Sequence, residues 1–285
     1  KAIQADLRQL RVISPLLQQL GTGTNMSDLV AEIGDNVLDE LDYRIEGDHQ
    51  RAFHAAFGSG QEPLLRVPKV YASSPKILVS EWVEGVRLSE IIDRGTPEQR
   101  SRAAEALTVF EFSSPDLVRR MHTDPHPGNF LVGDDGVLTV IDFGACIKVP
   151  DGLPRPLIEL VAAVVDGRRA DLKQLALEHG YLAPEHADEV SAGEIEAFLA
   201  PFAQPLAEDD FVFTVEWLTR VLGPFLDPKS PQSQLSRSFG MPREYIMIHR
   251  ILAGAVAVLS QLSAPAPYRQ VIAKHYPEMI GRGGK

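Results

Sequence analysis

Apolar side chains recur at helical spacing through Ile3, Leu7, Leu10 and Ile13, and again through Leu29, Ile33, Val37 and Leu41, with charged residues between them. That period predicts amphipathic helices over the first 57 residues, broken at Gly21 to Asn25. From Arg66 the period shortens. Val67–Tyr71 and Ile77–Val83 are β-branched runs separated by Ser73-Ser74-Pro75, which predicts strand, turn, strand. Thr96-Pro97-Glu98-Gln99 is a helix start, with Thr96 as N-cap, Pro97 at the first helical position and Gln99 placed to close a capping box. The helix it opens is expected to lead to Met121. Phe130–Val132 and Val137–Ile141 flank Gly133-Asp134-Asp135-Gly136, a β-hairpin pattern. Beyond Pro154 the chain is rich in Ala and Leu with Pro and Gly interruptions and is expected to form a helical bundle, with Phe211, Phe213, Trp217 and Leu218 read as core.

Composition removes several function classes. The 285 residues carry 28 Lys+Arg against 39 Asp+Glu, a net charge of −11 that repels phosphate backbones and anionic lipid, so nucleic acid is not an expected partner. The apolar run Ile251–Leu259 is far short of the about 20 residues a spanning helix needs and reads as a buried helix. Cys146 is the one cysteine, which rules out an internal disulfide framework and fits a reducing compartment. The expected location is cytoplasmic. The first residues, Lys1-Ala2-Ile3-Gln4, have neither an initiator Met nor a signal-peptide layout, and the chain is expected to be a piece of a longer one.

The chemistry concentrates in one stretch. Asp124 and Asn129 stand five apart on His122-Thr-Asp-Pro-His-Pro-Gly-Asn129, and Asp142 follows thirteen later in Asp142-Phe143-Gly144. A loop carboxylate, a carboxamide on the same loop and a second carboxylate after a hairpin are the base and oxygen ligands of phosphoryl transfer. Mg²⁺ takes one or two protein oxygens and completes its octahedron with phosphate and water, which suits Asn129 and Asp142. Asp124 is then the residue that accepts a proton from, or orients, an acceptor hydroxyl or a water. Each residue alone reads as a turn or cap; the joint spacing is what carries the signal. His122 and His126 bracket Asp124, but no third nitrogen or sulfur ligand lies near for zinc. His49, His54, His179, His186, His249 and His275 are scattered and suggest nothing.

The joint pattern reproduces the catalytic-loop and metal-aspartate signature of protein-kinase-like folds. With Glu40-Leu-Asp42-Tyr43-Arg-Ile-Glu46 and Leu78–Gly85 in order before it, the chain resembles the UbiB (ADCK) family of atypical kinases. The resemblance implies an α+β, two-lobed fold, with a partial N-lobe over residues 1–86 and a mostly helical C-lobe over 87–285. It implies ATP and Mg as cofactors, Glu40 and Asp42 in a family element near the nucleotide, Glu46 as partner of a phosphate-binding lysine, and Glu81, Trp82 and Val83 as the hinge strand against the adenine. Asp42 and Glu46, four apart, are expected on one helix face, with Glu40 pointing elsewhere. The family's Lys-x-Gly-Gln motif, its alanine-rich loop and its ATP-binding lysine are absent from this chain, so the lobe is expected to be truncated and ATP hydrolysis by this chain to be far slower than by one extended upstream.

Asp142-Phe-Gly144 runs through Val149 into Pro150 and a helix, leaving no room for the platform on which protein kinases dock peptides. The resemblance therefore implies ATP-driven support of isoprenoid quinone biosynthesis, by hydrolysis or small-molecule phosphorylation. A lipid-derived quinone precursor, other quinone-biosynthesis proteins and a peripheral membrane contact are the implied partners. An aminoglycoside- or choline-kinase-like phosphotransferase and a non-catalytic nucleotide-dependent lipid-binding module stay open as alternatives.

Overall fold

The computed structural model describes residues 42–281 apart from 59, 61, 228 and 241. The helices expected over residues 1–41, and Glu40 with them, lie outside the described residues. Helix α1 (Tyr43–Phe57) opens the described chain, followed by β1 (Leu65–Arg66), β2 (Val70–Ser74), β3 (Ile77–Ser80) and β4 (Val86–Arg87). Helices α2 (Leu88–Arg94) and α3 (Pro97–Leu117) lead to four short strands, β5 (Arg120–His122), β6 (Phe130–Val132), β7 (Leu138–Val140) and β8 (Cys146–Lys148). Helices then dominate: α4 (Arg155–Val165), α5 (Arg169–Glu178), α6 (Ala192–Ala207), α7 (Val215–Leu226), α8 (Pro231–Ser238), α9 (Ile246–Leu262) and α10 (Tyr268–His275). This is the expected α+β class.

The strand–turn–strand is β2 and β3, antiparallel, and the predicted hairpin is β6 and β7, with Phe130 opposite Val140. Gly136 takes a positive φ of 74° in its turn, a conformation that a side chain resists. Two pairings have no periodic signal: β1 runs parallel to β7, and β5 pairs antiparallel with β8. The Thr96 capping box forms as expected. Helix α3 stops at Leu117 rather than at Met121, and Arg119 adopts a left-handed φ of 56° that turns the chain into β5. Because α3 is buried around most of its circumference, its hydroxyls bond inward: Thr108 donates to the Ala104 carbonyl at 2.7 Å and Ser113 to that of Val109 at 2.6 Å.

The core is aromatic where the site will stand. Phe53 and Phe57 of α1, Phe110 of α3, Phe130 and Phe143 are all within 1% of complete burial, and Phe53 lies 5.5 Å from Phe110 and 5.1 Å from Phe143. Phe211, Phe213 and Trp217 are core as expected, stacked edge-on against one another and, through Phe213, against Tyr268 at 4.8 Å.

Candidate active site

Asp124 and Asn129 sit on the loop between β5 and β6. The Asn129 amide nitrogen donates to the Asp124 carbonyl at 3.1 Å and to its carboxylate at 3.0 Å. Both partners are acceptors only, so the nitrogen must face them and Asn129 Oδ1 is left free. The Ile141 N–H donates to the Asn129 carbonyl at 3.0 Å, so Asn129 and Asp142 stand side by side at the open end of the β6–β7 hairpin. Asp142 Oδ1 accepts the Gly144 N–H at 2.9 Å and the carboxylate is exposed. Pro125 is buried, and a Cβ placed on Gly254 of α9 would come within 2.8 Å of its ring, so the glycine is what lets the loop seat on the helical region.

His122 ties the two halves of the site together. Its ring is buried; Nε2 lies 2.8 Å from the Asp142 carbonyl and Nδ1 3.3 Å from the Asp124 N–H. A carbonyl only accepts and an amide only donates, so the ring is neutral with its proton on Nε2. Burial pushes its pKa down in agreement. One imidazole thereby fixes the backbone of Asp124 to that of Asp142.

Glu46 approaches from α1. It is half-buried, accepts the Phe143 N–H and lies in the field of Asp142; burial first, and that carboxylate second, raise its pKa. Phe53, seven residues on and thus on the same helix face, packs against Phe143, so α1 grips the Asp-Phe-Gly segment at two points. The spacing Glu46 to Phe53 was available in the sequence, but Phe143 as their shared target was not.

Asp42 departs from expectation. It is the N-cap of α1 with extended backbone (φ −113°, ψ 94°), not a helical residue, so the shared face with Glu46 does not exist. Its carboxylate accepts the Arg44 N–H at 3.0 Å and the guanidinium at 2.5 Å, which holds it below the usual carboxylate range. Asp is a preferred cap residue, a signal the continuous-helix reading overlooked. Glu81 exchanges hydrogen bonds with Lys69: its N–H donates to the Lys69 carbonyl at 2.8 Å and its carboxylate accepts the Lys69 N–H at 3.1 Å. Trp82 is 86% exposed and Val83 half-buried. Glu81, Trp82 and Val83 lie past the end of β3 at Ser80, so the expected strand stops short of them, and the hydrogen bonds of Glu81 do not run to Asp124, Asn129 or Asp142.

Among the described residues no cluster of three His, Cys, Asp or Glu could cage a metal. Mg²⁺ needs no such cage, and a free amide oxygen beside an exposed carboxylate fits an ion completed by phosphate and water. The profile of the ABC1 atypical kinase-like domain matches residues 1–176. The chain belongs to this family. Its relatives include the atypical kinase COQ8, mitochondrial, of Schizosaccharomyces pombe, 24% identical over 97% of this chain and 45% of its own length. The protein Activity of BC1 complex kinase 1, chloroplastic, of Arabidopsis thaliana is 28% identical over 59% of this chain and 25% of its own. The chain thus spans less than half the length of these ABC1 relatives. A solved structure of Rv3197 from Mycobacterium tuberculosis in complex with erythromycin superposes with a TM-score of 0.86 at 32% identity, covering 98% of this chain and 69% of that one. The kinase-like fold and the UbiB-type assignment follow from these matches.

Proposed function

We propose that this chain carries the Mg-nucleotide site of an ABC1-family ATPase or phosphotransferase, and that the intact protein supports isoprenoid quinone biosynthesis. One observation carries it: Asp124, Asn129 and Asp142 are brought together, with the backbones of Asp124 and Asp142 locked through His122 and the Asn129 amide bonded to the Asp124 carboxylate. Asn129 and Asp142 would hold Mg²⁺, which when bound supplies charge neutralisation on the phosphates. Asp124, steadied by the Asn129 amide, orients an acceptor hydroxyl or a water and takes its proton. Glu46 holds the Asp-Phe-Gly backbone from α1. In this reading residues up to 86 cover the nucleotide and those from 87 onward carry the chemistry. The acceptor is lipid-derived and is met at the surface of a bilayer; among the described residues no helix is long and apolar enough to cross a membrane. ATP turnover measured with and without a quinone-head-group mimic tests the proposal: Asp124→Asn should lower turnover at least tenfold and the mimic should raise the wild-type rate. Turnover indifferent to both removes the reading.

A second reading rests on two cavities flanking α6. One, of about 280 Å³, lies against Phe198, Trp217 and Phe225, and the other, of about 650 Å³, against Val164, Val165 and Ala200. They suit an apolar ligand held in the helical region, and the similar protein Rv3197 has been solved in complex with erythromycin. Calorimetric titration with erythromycin decides it, and absence of saturable heat eliminates it.

A further inference from the structure

Three basic side chains from three separate elements converge behind the catalytic cluster. Arg120 of β5 and Lys148 of β8 are register partners across an antiparallel ribbon. Opposed residues, and residues two apart, share one face, so Arg120 and Lys148 lie on the same side as His122 and Cys146. That side looks at α1, because the His122 ring stands 6.0 Å from Phe143, which in turn packs on Phe53. His49 precedes Phe53 by four residues, one turn along the same face of α1, and feels the charges of both Arg120 and Lys148.

Arg120 Nε and His49 Nδ1 are both buried without a hydrogen-bond partner. Arg120 and Lys148 make no ion pair among the described residues, as is also true of Arg87, Arg94 and Arg250; what distinguishes Arg120 is that its Nε is buried. The one carboxylate that acts on His49, Asp48, is held by Arg51 at 2.9 Å. Cys146 on the same face feels Asp142, Glu46 and Glu111 as well as Arg120, yet none of these carboxylates forms an ion pair with Arg120 or Lys148, and Arg120 Nε and His49 Nδ1 stay without an acceptor.

We propose that His49, Arg120 and Lys148 form an oxyanion site that takes a phosphate group, separate from the cluster of Asp124, Asn129 and Asp142. A guanidinium fork beside an ammonium and an imidazole matches a tetrahedral dianion. The phosphate is either free or an ester on a serine or threonine of this chain. Once seated, it ties α1, the carrier of Glu46, to the two strands that flank Asp124 and Asp142, and so acts on the geometry of the site without touching it. The proposal stands independently of the enzymatic reading.

Thermal unfolding with inorganic phosphate, titrated at constant ionic strength without Mg²⁺ or nucleotide, tests it. The wild-type chain should show a saturable rise in Tm. Lys148→Ala and Arg120→Gln should each weaken the apparent affinity by about tenfold or more, with Arg120→Lys retaining part of it. If the phosphate is free, phosphatase treatment leaves the response unchanged. If it is an ester, the chain as purified is silent, phosphatase restores the response, and mass spectrometry finds the modified residue. Should Arg120→Gln fail to fold, Lys148→Ala decides alone, since that side chain is exposed. A chain silent before and after phosphatase, or a response that Lys148→Ala leaves intact, overturns the proposal.

Discussion

Between Arg120 and Lys148 the polar side chains are fixed to backbone: His122 to Asp124 and Asp142, Asn129 to Asp124, Asp142 to Gly144, Asp135 to Val137. Between Arg155 and Ile280 many bond instead to other side chains at the surface, as in the Arg155–Glu159 and Gln174–Glu178 pairs, and apolar faces carry the fold. Helix α6 even contains Pro201 and Pro205, each of which removes an intrahelical bond, and it borders open space on two sides. The first region is determined atom by atom and tolerates little; the second is determined by volume and has room to adjust.

The sharpest test of this contrast is a pair of truncations. Phe110→Ala, in the sealed aromatic core under the site, should cost about 3–5 kcal/mol by denaturant unfolding. Phe225→Ala, at a half-buried ring already bordering a cavity, should cost under about 2 kcal/mol. Equal costs would erase the distinction.

Glu111 sharpens it next. This carboxyl is wholly buried in α3 with Oε1 unpartnered, and burial pushes its pKa up to about 8. The folded chain then holds a proton that the unfolded chain releases near pH 4–5, so its contribution is fully present below that range and is lost as pH rises towards 8. Wild type should lose stability relative to Glu111→Gln by up to about 1.4 kcal/mol per pH unit across that window. Buried His122 and half-buried His49 and His249, whose pKa values burial lowers, act with the opposite sign at lower pH, and subtracting the variant's curve removes them. A flat difference would mean that the carboxyl has a partner or reaches water.

The smallest effect compares two capping boxes, Thr96 on α3 and Ser191 on α6. Both alanine variants should cost about 1 kcal/mol, because a cap serves its own helix whichever region it lies in. A much larger loss at Ser191 would show that α6 is more rigidly held than its prolines suggest.

How far the sequence revealed this follows the same division. The spacing of His122, Asp124, Asn129 and Asp142 was legible because the loop and hairpin chemistry is local. So were the Thr96 box and the Gly133–Gly136 turn, whose signals span four residues. Strands of two or three residues such as β1, β5 and β8 carry no alternation to read, and their pairing depends on partners far along the chain. Convergence of His49, Arg120 and Lys148 was invisible for that reason. Asp42 was misread as helical because the helical pattern continued through it, although its own chemistry marks a cap.

The central claim is that Asn129 and Asp142 present oxygens for Mg-nucleotide while Asp124 does not ligate the metal. Calorimetry of this chain with ATP, with and without Mg²⁺, tests it most directly on wild type, Asp142→Asn, Asn129→Ala and Asp124→Asn. The expected result is Mg²⁺-dependent binding that Asp142→Asn abolishes, Asn129→Ala weakens at least tenfold and Asp124→Asn largely spares. Mg²⁺-dependent affinity unchanged in Asp142→Asn would contradict the account.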